Sequence, residues 1–234
     1  MEVFFRFLDS EKKQISHLVI LGDLFEFFFG FKNFFSTEKP SAFSDYLPVL
    51  NKLQSLYREG IRMKYFEGNH DFFLQSFFLE QLGMEVEVYP DGCEEKVDGN
   101  RAFIAHGDLS NPKQWTYRAF RKILKNPLTY CLIQFVGPWI SRQVARKWSG
   151  MSYQKYHNER QSHPLPAFKA FAHQKFLEGF EIVILGHSHF PEEAEEWIHG
   201  RKCLYYNVGD WAFHRSFLRF TPPDRFRLER YNEG

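Results

Sequence analysis

Five apolar runs in this chain end at a glycine accompanied by Asp, Asn or His. That repetition constrains the fold more than any other feature. The five ends are Gly22-Asp23, Gly68-Asn69-His70-Asp71, His106-Gly107-Asp108, Gly186-His187-Ser188-His189 and Asn207-Val208-Gly209-Asp210. The run "HLVIL" before Gly22 is continuous and short, which predicts a strand buried on both faces. "IRMKYFEGN", "RAFIAHGD", "EIVILGHSH" and "CLYYNVGD" predict four more strands. Glycine at a strand end lets the backbone turn sharply and leaves room for a ligand. In open α/β sheets, ligands gather beyond the carboxyl ends of the strands. A single such end is ordinary turn chemistry, because Gly-Asn is a common turn and Asp a common helix cap. Five of them predict an α/β chain whose strand ends supply one polar site.

The remaining segments fit that class. Residues 44–59 carry Tyr46, Leu47, Leu50, Leu53 and Leu56 at helical spacing and close at Gly60. "VDGN" predicts a tight turn into the strand at 101, and the last strands are expected as a hairpin through Pro222–Asp224. Residues 113–178 read as helical, broken at "NPL", "VGPW" and "HPLP". Three scattered cysteines with no CxxC argue against a disulfide framework and for a reducing compartment. No run of 18 apolar residues exists, and Met1 leads directly into an amphipathic stretch, so neither a membrane span nor a signal peptide is expected.

A net charge of +1 hides an asymmetry. Residues 113–163 hold ten Lys and Arg against Glu159 alone, a charge of +9, which leaves the remainder at −8. The cations interleave with Trp115, Tyr117, Phe120, Tyr130, Phe135, Trp139 and Trp148. Such a segment suits a solvated helical face or phosphate binding, as in nucleic-acid recognition. It equally suits an interfacial membrane surface. We therefore read a core of 1–112 and 164–234 with a basic, aromatic helical cap inserted at 113–163.

The strand-end residues offer a carboxylate, an amide oxygen and imidazoles, with no thiolate. That donor set suits Mn, Fe, Zn or Mg. A bridging carboxylate holds two such ions roughly 3.5–4 Å apart in phosphoester hydrolysis. His70, next to Asn69, suits charge stabilisation or protonation of a leaving oxygen, with Asp71 to orient it. Of the histidines outside these ends (His157, His163, His173, His199 and His214), His214 is the strongest functional candidate, following "GDWAF". The phenylalanines of 27–35 read as core or as a greasy site wall.

The ordered set "GDLFE … GNHD … HGD … GHSH" resembles the calcineurin-like metallophosphoesterases over about residues 15–211. The basic arm after "HGD" and the final "NVGDW" are similar to family members that cleave the pyrophosphate of a lipid-linked UDP-sugar. The resemblance implies a two-sheet αββα sandwich with a helical insertion, and two divalent ions, manganese foremost. It implies Asp23 as the bridging ligand, with Asn69, His106 and His187 on one ion, His189 on the other, and His70 as the catalytic imidazole. It also implies that Tyr117, Arg121, Arg142, Arg146, Phe135 and Trp139 of the arm bind substrate at a membrane surface. The enzyme would be cytoplasmic and peripherally attached to the inner membrane, with no nucleic-acid partner.

Family members open with a strand ending Asp-x-His about thirty residues before the Gly-Asp motif. Only 22 residues precede Asp23, and none forms Asp-x-His. The second metal position is thereby incomplete, and the expectation is that a first strand is missing from the sequence given. Three readings stay open: the lipid-directed pyrophosphatase, another phosphodiesterase or nucleotide pyrophosphatase of the family, and an inactive scaffold that binds a partner protein.

Overall fold

The computed structural model describes residues 1–35, 42–143, 164–223 and 225–232. The α/β class expected from the strand ends is the class observed. The chain divides into two compact units, each with its own sheet. One unit holds Met1–Pro90 and the arm from Gln114, and the other holds Asp91–Lys113 and the described residues from 164 onward.

In the first unit, α1 (Glu2–Glu11) leads into β1 (His17–Ile20), then α2 (Leu47–Arg58), β2 (Arg62–Phe66), α3 (Leu74–Ser76) and β3 (Glu87–Tyr89). The three strands pair in parallel in the order β1-β2-β3. α2 forms because Val49, Leu50, Leu53 and Leu56 share one buried stripe, and Pro48 sits harmlessly in its first turn. It stops at Gly60, whose φ of 92° only glycine adopts easily. The Gly60 N–H donates to the Tyr57 carbonyl and the Ile61 N–H to that of Leu56, so two orphan carbonyls are satisfied. The expectation that β1 is buried on both faces fails. It lies at the edge of this sheet, its residues alternate between exposed and half-buried, and Val19 is 44% exposed.

The phenylalanine run after Asp23 is core. Phe25, Phe28, Phe29, Phe31 and Phe34 are buried, and the Phe28 ring meets those of Phe34, Phe43 and Phe77 edge-on. The arm continues in this unit with α4 (Trp115–Leu124) and α5, described over 127–143. The break expected at "NPL" is present between them. The break expected at "VGPW" is not, for the helix runs on through it. A φ of 84° at Gly137, ahead of Pro138, marks the local irregularity. α5 packs onto the segment after Asp71 through Tyr130, whose ring lies 4.5 Å from that of Phe73, and onto the phenylalanine loop through Gln134, which donates to the Phe29 carbonyl.

In the second unit, β4 (Cys93–Val97) and β5 (Asn100–Ala105) form the hairpin expected at "VDGN", turning on Asp98 and Gly99 at positive φ. α6 (Pro166–Leu177) follows, then β6 (Ile182–Leu185), β7 (Pro191–Ile198) and β8 (Arg201–Val208). The sheet order is β4-β5-β6-β8-β7, with β5, β6 and β8 parallel. β6 is buried along its whole length, as a continuous apolar run in a central strand should be. Phe168, Ala172 and Phe176 of α6 cover it together with Tyr205. β9 (Ser216–Thr221) and β10 (Arg225–Arg230) form the C-terminal hairpin.

Candidate functional site

In the first unit the candidate residues gather at the ends of β1 and β2. Asp23 has left-handed backbone, φ 54°. Its Oδ1 accepts the N–H groups of Asn69 (2.9 Å) and His70 (3.0 Å). This explains Gly68. A Cβ there would sit 2.1 Å from Asp23 Oδ1 and 2.7 Å from its nitrogen, so no other residue fits. The carboxylate of Asp23 and the Gly68–Asp71 loop are thus assembled as one piece.

Asp71 has a different place from the one expected. It is fully buried, Oδ1 accepts the Gly68 N–H, and Oδ2 accepts the Leu24 N–H and the Tyr65 hydroxyl. Burial first, then the adjacent Asp71 carboxylate, hold the Tyr65 phenol well above its ordinary range. It therefore stays protonated and donates. The orientation of His70 falls to a main-chain group instead: Nδ1 lies 2.7 Å from the Glu26 carbonyl. A carbonyl only accepts, so Nδ1 carries the proton and Nε2 is the nitrogen left for chemistry. Phe28 and Asp71 are bridged as a short parallel pair, which ties the phenylalanine loop to the same segment.

Glu67, immediately before this loop, drew no attention in the sequence. It is buried, accepts the Leu74 N–H at 3.0 Å and pairs at 3.1 Å with Lys125, the residue that caps the end of α4. Lys125 also donates to the Pro90 carbonyl, as does buried Arg121. The only sequence signal was a glutamate standing where a strand should be apolar.

In the second unit, His106 and His187 are both buried, and His106 Nε2 lies 3.0 Å from His187 Nδ1. Two nitrogens each about 2.1 Å from one ion, as neighbouring ligands, stand roughly 3 Å apart, so the pair fits a divalent metal. The Phe168 ring lies nearly parallel to that of His187. The Gly186 N–H donates to the His106 carbonyl, joining the two loops. His187 and His189 both have left-handed backbone, φ 63° and 62°. Asn207, fully buried, donates from Nδ2 to the Gly186 carbonyl and accepts the Gly209 N–H. Asp210 lies 3.3 Å from His189 Nδ1 and 3.4 Å from His214 Nδ1. Burial pushes the Asp210 carboxyl up, but the His189 ring and the His214 and Phe213 N–H groups outweigh it and hold it below the usual carboxylate range.

The arm residues divide. Arg121 is turned inward on Pro90, and Arg142 pairs with Asp45 at 2.6 Å across the Phe43 ring. Tyr117 is half-buried. Phe135 is 90% exposed and Trp139 51%, and with Leu128 and Leu132 they follow the i, i+4, i+7, i+11 spacing of a single helix face. Arg146 lies outside the described residues. His173 pairs with Glu196, and His199 occupies the β7–β8 turn, so neither belongs to these clusters. His157 and His163 lie outside the described residues. Among the described residues, no helix is long and apolar enough to cross a membrane.

No protein-family model matches the chain. Comparison with curated proteins, together with the ordered motifs, marks it as a hydrolase of the metallophosphoesterase type. Among the curated proteins it is similar to are several UDP-2,3-diacylglucosamine hydrolases. That of Aromatoleum aromaticum is 26% identical over 234 residues, covering 97% of this chain and 90% of that one. That of Vibrio vulnificus is 28% identical over 233 residues, covering 98% and 90%. That of Azotobacter vinelandii is 28% identical over 214 residues. A solved archaeal phosphodiesterase aligns over 97% of this chain and 91% of that one with a TM-score of 0.46 and 13% identity.

Proposed function

We propose that the chain hydrolyses the pyrophosphate of UDP-2,3-diacylglucosamine, releasing UMP and 2,3-diacylglucosamine 1-phosphate. The observation that carries this reading is similarity over nearly the whole chain to hydrolases of that name. In this reading Asp23, Asn69, His106 and His187 hold one divalent ion, with manganese first among the candidates. Asp23 and His189 serve a second, weaker-held ion. When bound, the metals polarise phosphoryl oxygens and supply a hydroxide at neutral pH.

The chain's own residues do the rest. His70 holds its Nδ1 proton on the Glu26 carbonyl, so a proton taken up at Nε2 is available to the departing phosphate oxygen. Tyr65 and the Gly68 and Leu24 N–H groups fix Asp71, which builds the loop rather than turning the imidazole. Asp23 is held by two main-chain N–H groups and needs no rearrangement before it acts as a ligand.

Residues 113–163 act as the cap that receives the lipid. Leu128, Leu132, Phe135 and Trp139 meet acyl chains, at about 0.8 kcal/mol per buried CH₂. The arm's exposed cations meet anionic headgroups, at about 1 kcal/mol each. The enzyme then works at the cytoplasmic face of the inner membrane, without a nucleic-acid partner. One observation favours a second reading, a phosphodiesterase acting on a soluble nucleotide. Arg121 is buried against the Pro90 carbonyl and Arg142 is paired with Asp45 at the surface, so two of the arm's cations are already engaged.

Incubation with UDP-2,3-diacylglucosamine in mixed micelles and Mn²⁺ tests the choice. UMP release that depends on the acyl chains is expected. Equal hydrolysis of deacylated UDP-glucosamine would favour the soluble reading.

A further inference from the structure

Four of the five glycine-marked strand ends receive a role in the proposed reaction or stand beside one that does. The fifth, Asn207-Val208-Gly209-Asp210 at the end of β8, receives none, yet it is built with as much care. Asn207 is fully buried and bonds at both ends of its amide, to Gly186 and to Gly209. Gly209 has φ 72°, and a Cβ there would meet Ser216 Oγ at 2.4 Å and Pro191 at 2.9 Å. Ser216 in turn donates to the Val208 carbonyl at 2.7 Å, and its N–H donates to that of Asp210. Asp210 is pinned by Oδ1, which accepts the N–H groups of Phe213 and His214 at 2.9 Å each. Its Oδ2 is buried, accepts no aligned hydrogen bond among the described residues, and faces His189 Nδ1 at 3.3 Å.

Facing this strand end is the loop that needs holding. His187 and His189 both have φ above 60°, a conformation that a residue with a Cβ keeps only when its surroundings impose it. Asn207 holds the first residue of that loop and Asp210 faces the last. A buried carboxylate set against one ring nitrogen of a histidine is also how proteins fix which nitrogen of a metal-binding imidazole is free.

We propose that the β8 end is a clamp for the Gly186–His189 loop. Asp210 is the positioning residue that keeps the proton of His189 on Nδ1 and leaves Nε2 free for a divalent ion. This rests on the reading of His189 as a metal ligand. Asp210 does not touch substrate, and its effect runs through the imidazole. Asp210→Asn is the informative change. The remaining oxygen still accepts Phe213 and His214, so the turn keeps its shape, while an amide NH₂ replaces the oxygen that faces Nδ1. His189 is then driven to the other tautomer, with the proton on the nitrogen needed for the metal.

Two measurements on the full chain test this. The first is the ¹⁵N spectrum of His189 in metal-free protein, which needs no variant. The Nδ1–H tautomer is expected, and an Nε2–H tautomer overturns the proposal. The second is titration of the weaker Mn²⁺ position, the one His189 serves, after the firmer one is filled, in wild type, Asp210→Asn and His189→Ala, with thermal melts alongside. Asp210→Asn should weaken Mn²⁺ binding about 10–100-fold with its melting temperature nearly unchanged. If His189→Ala weakens binding and Asp210→Asn does not, the ligand reading stands and the positioning role is wrong. If His189→Ala binds Mn²⁺ as wild type does, the ligand reading itself fails and the proposal falls with it.

Discussion

Replacing Tyr65 with phenylalanine removes one oxygen from the interior of the first unit. That oxygen donates to Asp71 Oδ2, which also accepts the Leu24 N–H at 3.1 Å. A hydrogen bond to an ionised carboxylate is worth about 1.5–3 kcal/mol. In a chain of this size each kcal/mol moves the melting temperature by about 2–4 °C, so a drop of roughly 3–12 °C is expected at pH 7. The alkaline limb carries a second signature. Folding raises the Tyr65 phenol well above its ordinary value of 10, chiefly by burial and next by Asp71. A raised folded pKa contributes stability that is complete below the unfolded value and is lost as pH climbs above it. The unfolded chain gives up the Tyr65 proton near pH 10 while the folded chain keeps it. Wild type should therefore lose about 1.4 kcal/mol per pH unit above 10 that the phenylalanine variant does not lose. Urea or thermal unfolding of both proteins from pH 7 to 11 would give curves that converge at the alkaline end. A melting temperature within 1 °C of wild type at pH 7, or a gap that widens with pH, would refute the Tyr65–Asp71 assignment.

Other substitutions probe the remaining parts. His70→Ala should retain bound metal and lose about 10²–10⁴ in turnover, measured with bis-p-nitrophenyl phosphate at saturating concentration. Unchanged turnover would make His70 a turn residue. Gly68→Ala forces a carbon against Asp23 and should cost about 1–3 kcal/mol in chemical denaturation, with weaker metal binding. A wild-type midpoint would show that the loop and Asp23 are not held together. Phe135→Ser with Trp139→Ser should cut binding to anionic phospholipid vesicles by about tenfold or more, since burying such side chains is worth about 1.5–3 kcal/mol each. Hydrolysis of the soluble diester should persist. If vesicle binding is unchanged, the exposed stripe of α5 serves another purpose.

The strand ends were legible because a glycine accompanied by Asp, Asn or His recurs at each of them. The Asp98-Gly99 turn and the Gly60 stop were legible because Asp-Gly is a favoured tight turn and glycine a favoured helix end. β7 was not, since "PEEAEEWI" places glutamates on both faces and hides the period of two. His199 and Gly200 at positive φ were its hairpin signal. The exposure of β1 escaped for a related reason: an apolar run does not reveal whether its strand has a neighbour on each side. Partnerships across long sequence separations escaped as well. Asp71 sits next to His70 in sequence, yet it bonds to Tyr65 and Leu24, and Glu67 finds Lys125 at the end of a helix that no local pattern connects to it. The arm's cations read as one charged block because sequence gives charge without direction, whereas Arg121 turns inward, Arg142 pairs with Asp45 at the surface, and the apolar stripe of α5 turns outward.

In the proposed reading, Asp23, Asn69, His106 and His187 hold the ion on which phosphoester hydrolysis depends. The most direct test of that reading is hydrolysis of bis-p-nitrophenyl phosphate by protein stripped with chelator and then titrated with Mn²⁺, in wild type and in His187→Ala. The stripped wild type should be inactive and should recover with added Mn²⁺, while His187→Ala should remain inactive although folded. Activity that survives stripping, or that returns equally in His187→Ala, would contradict the assignment.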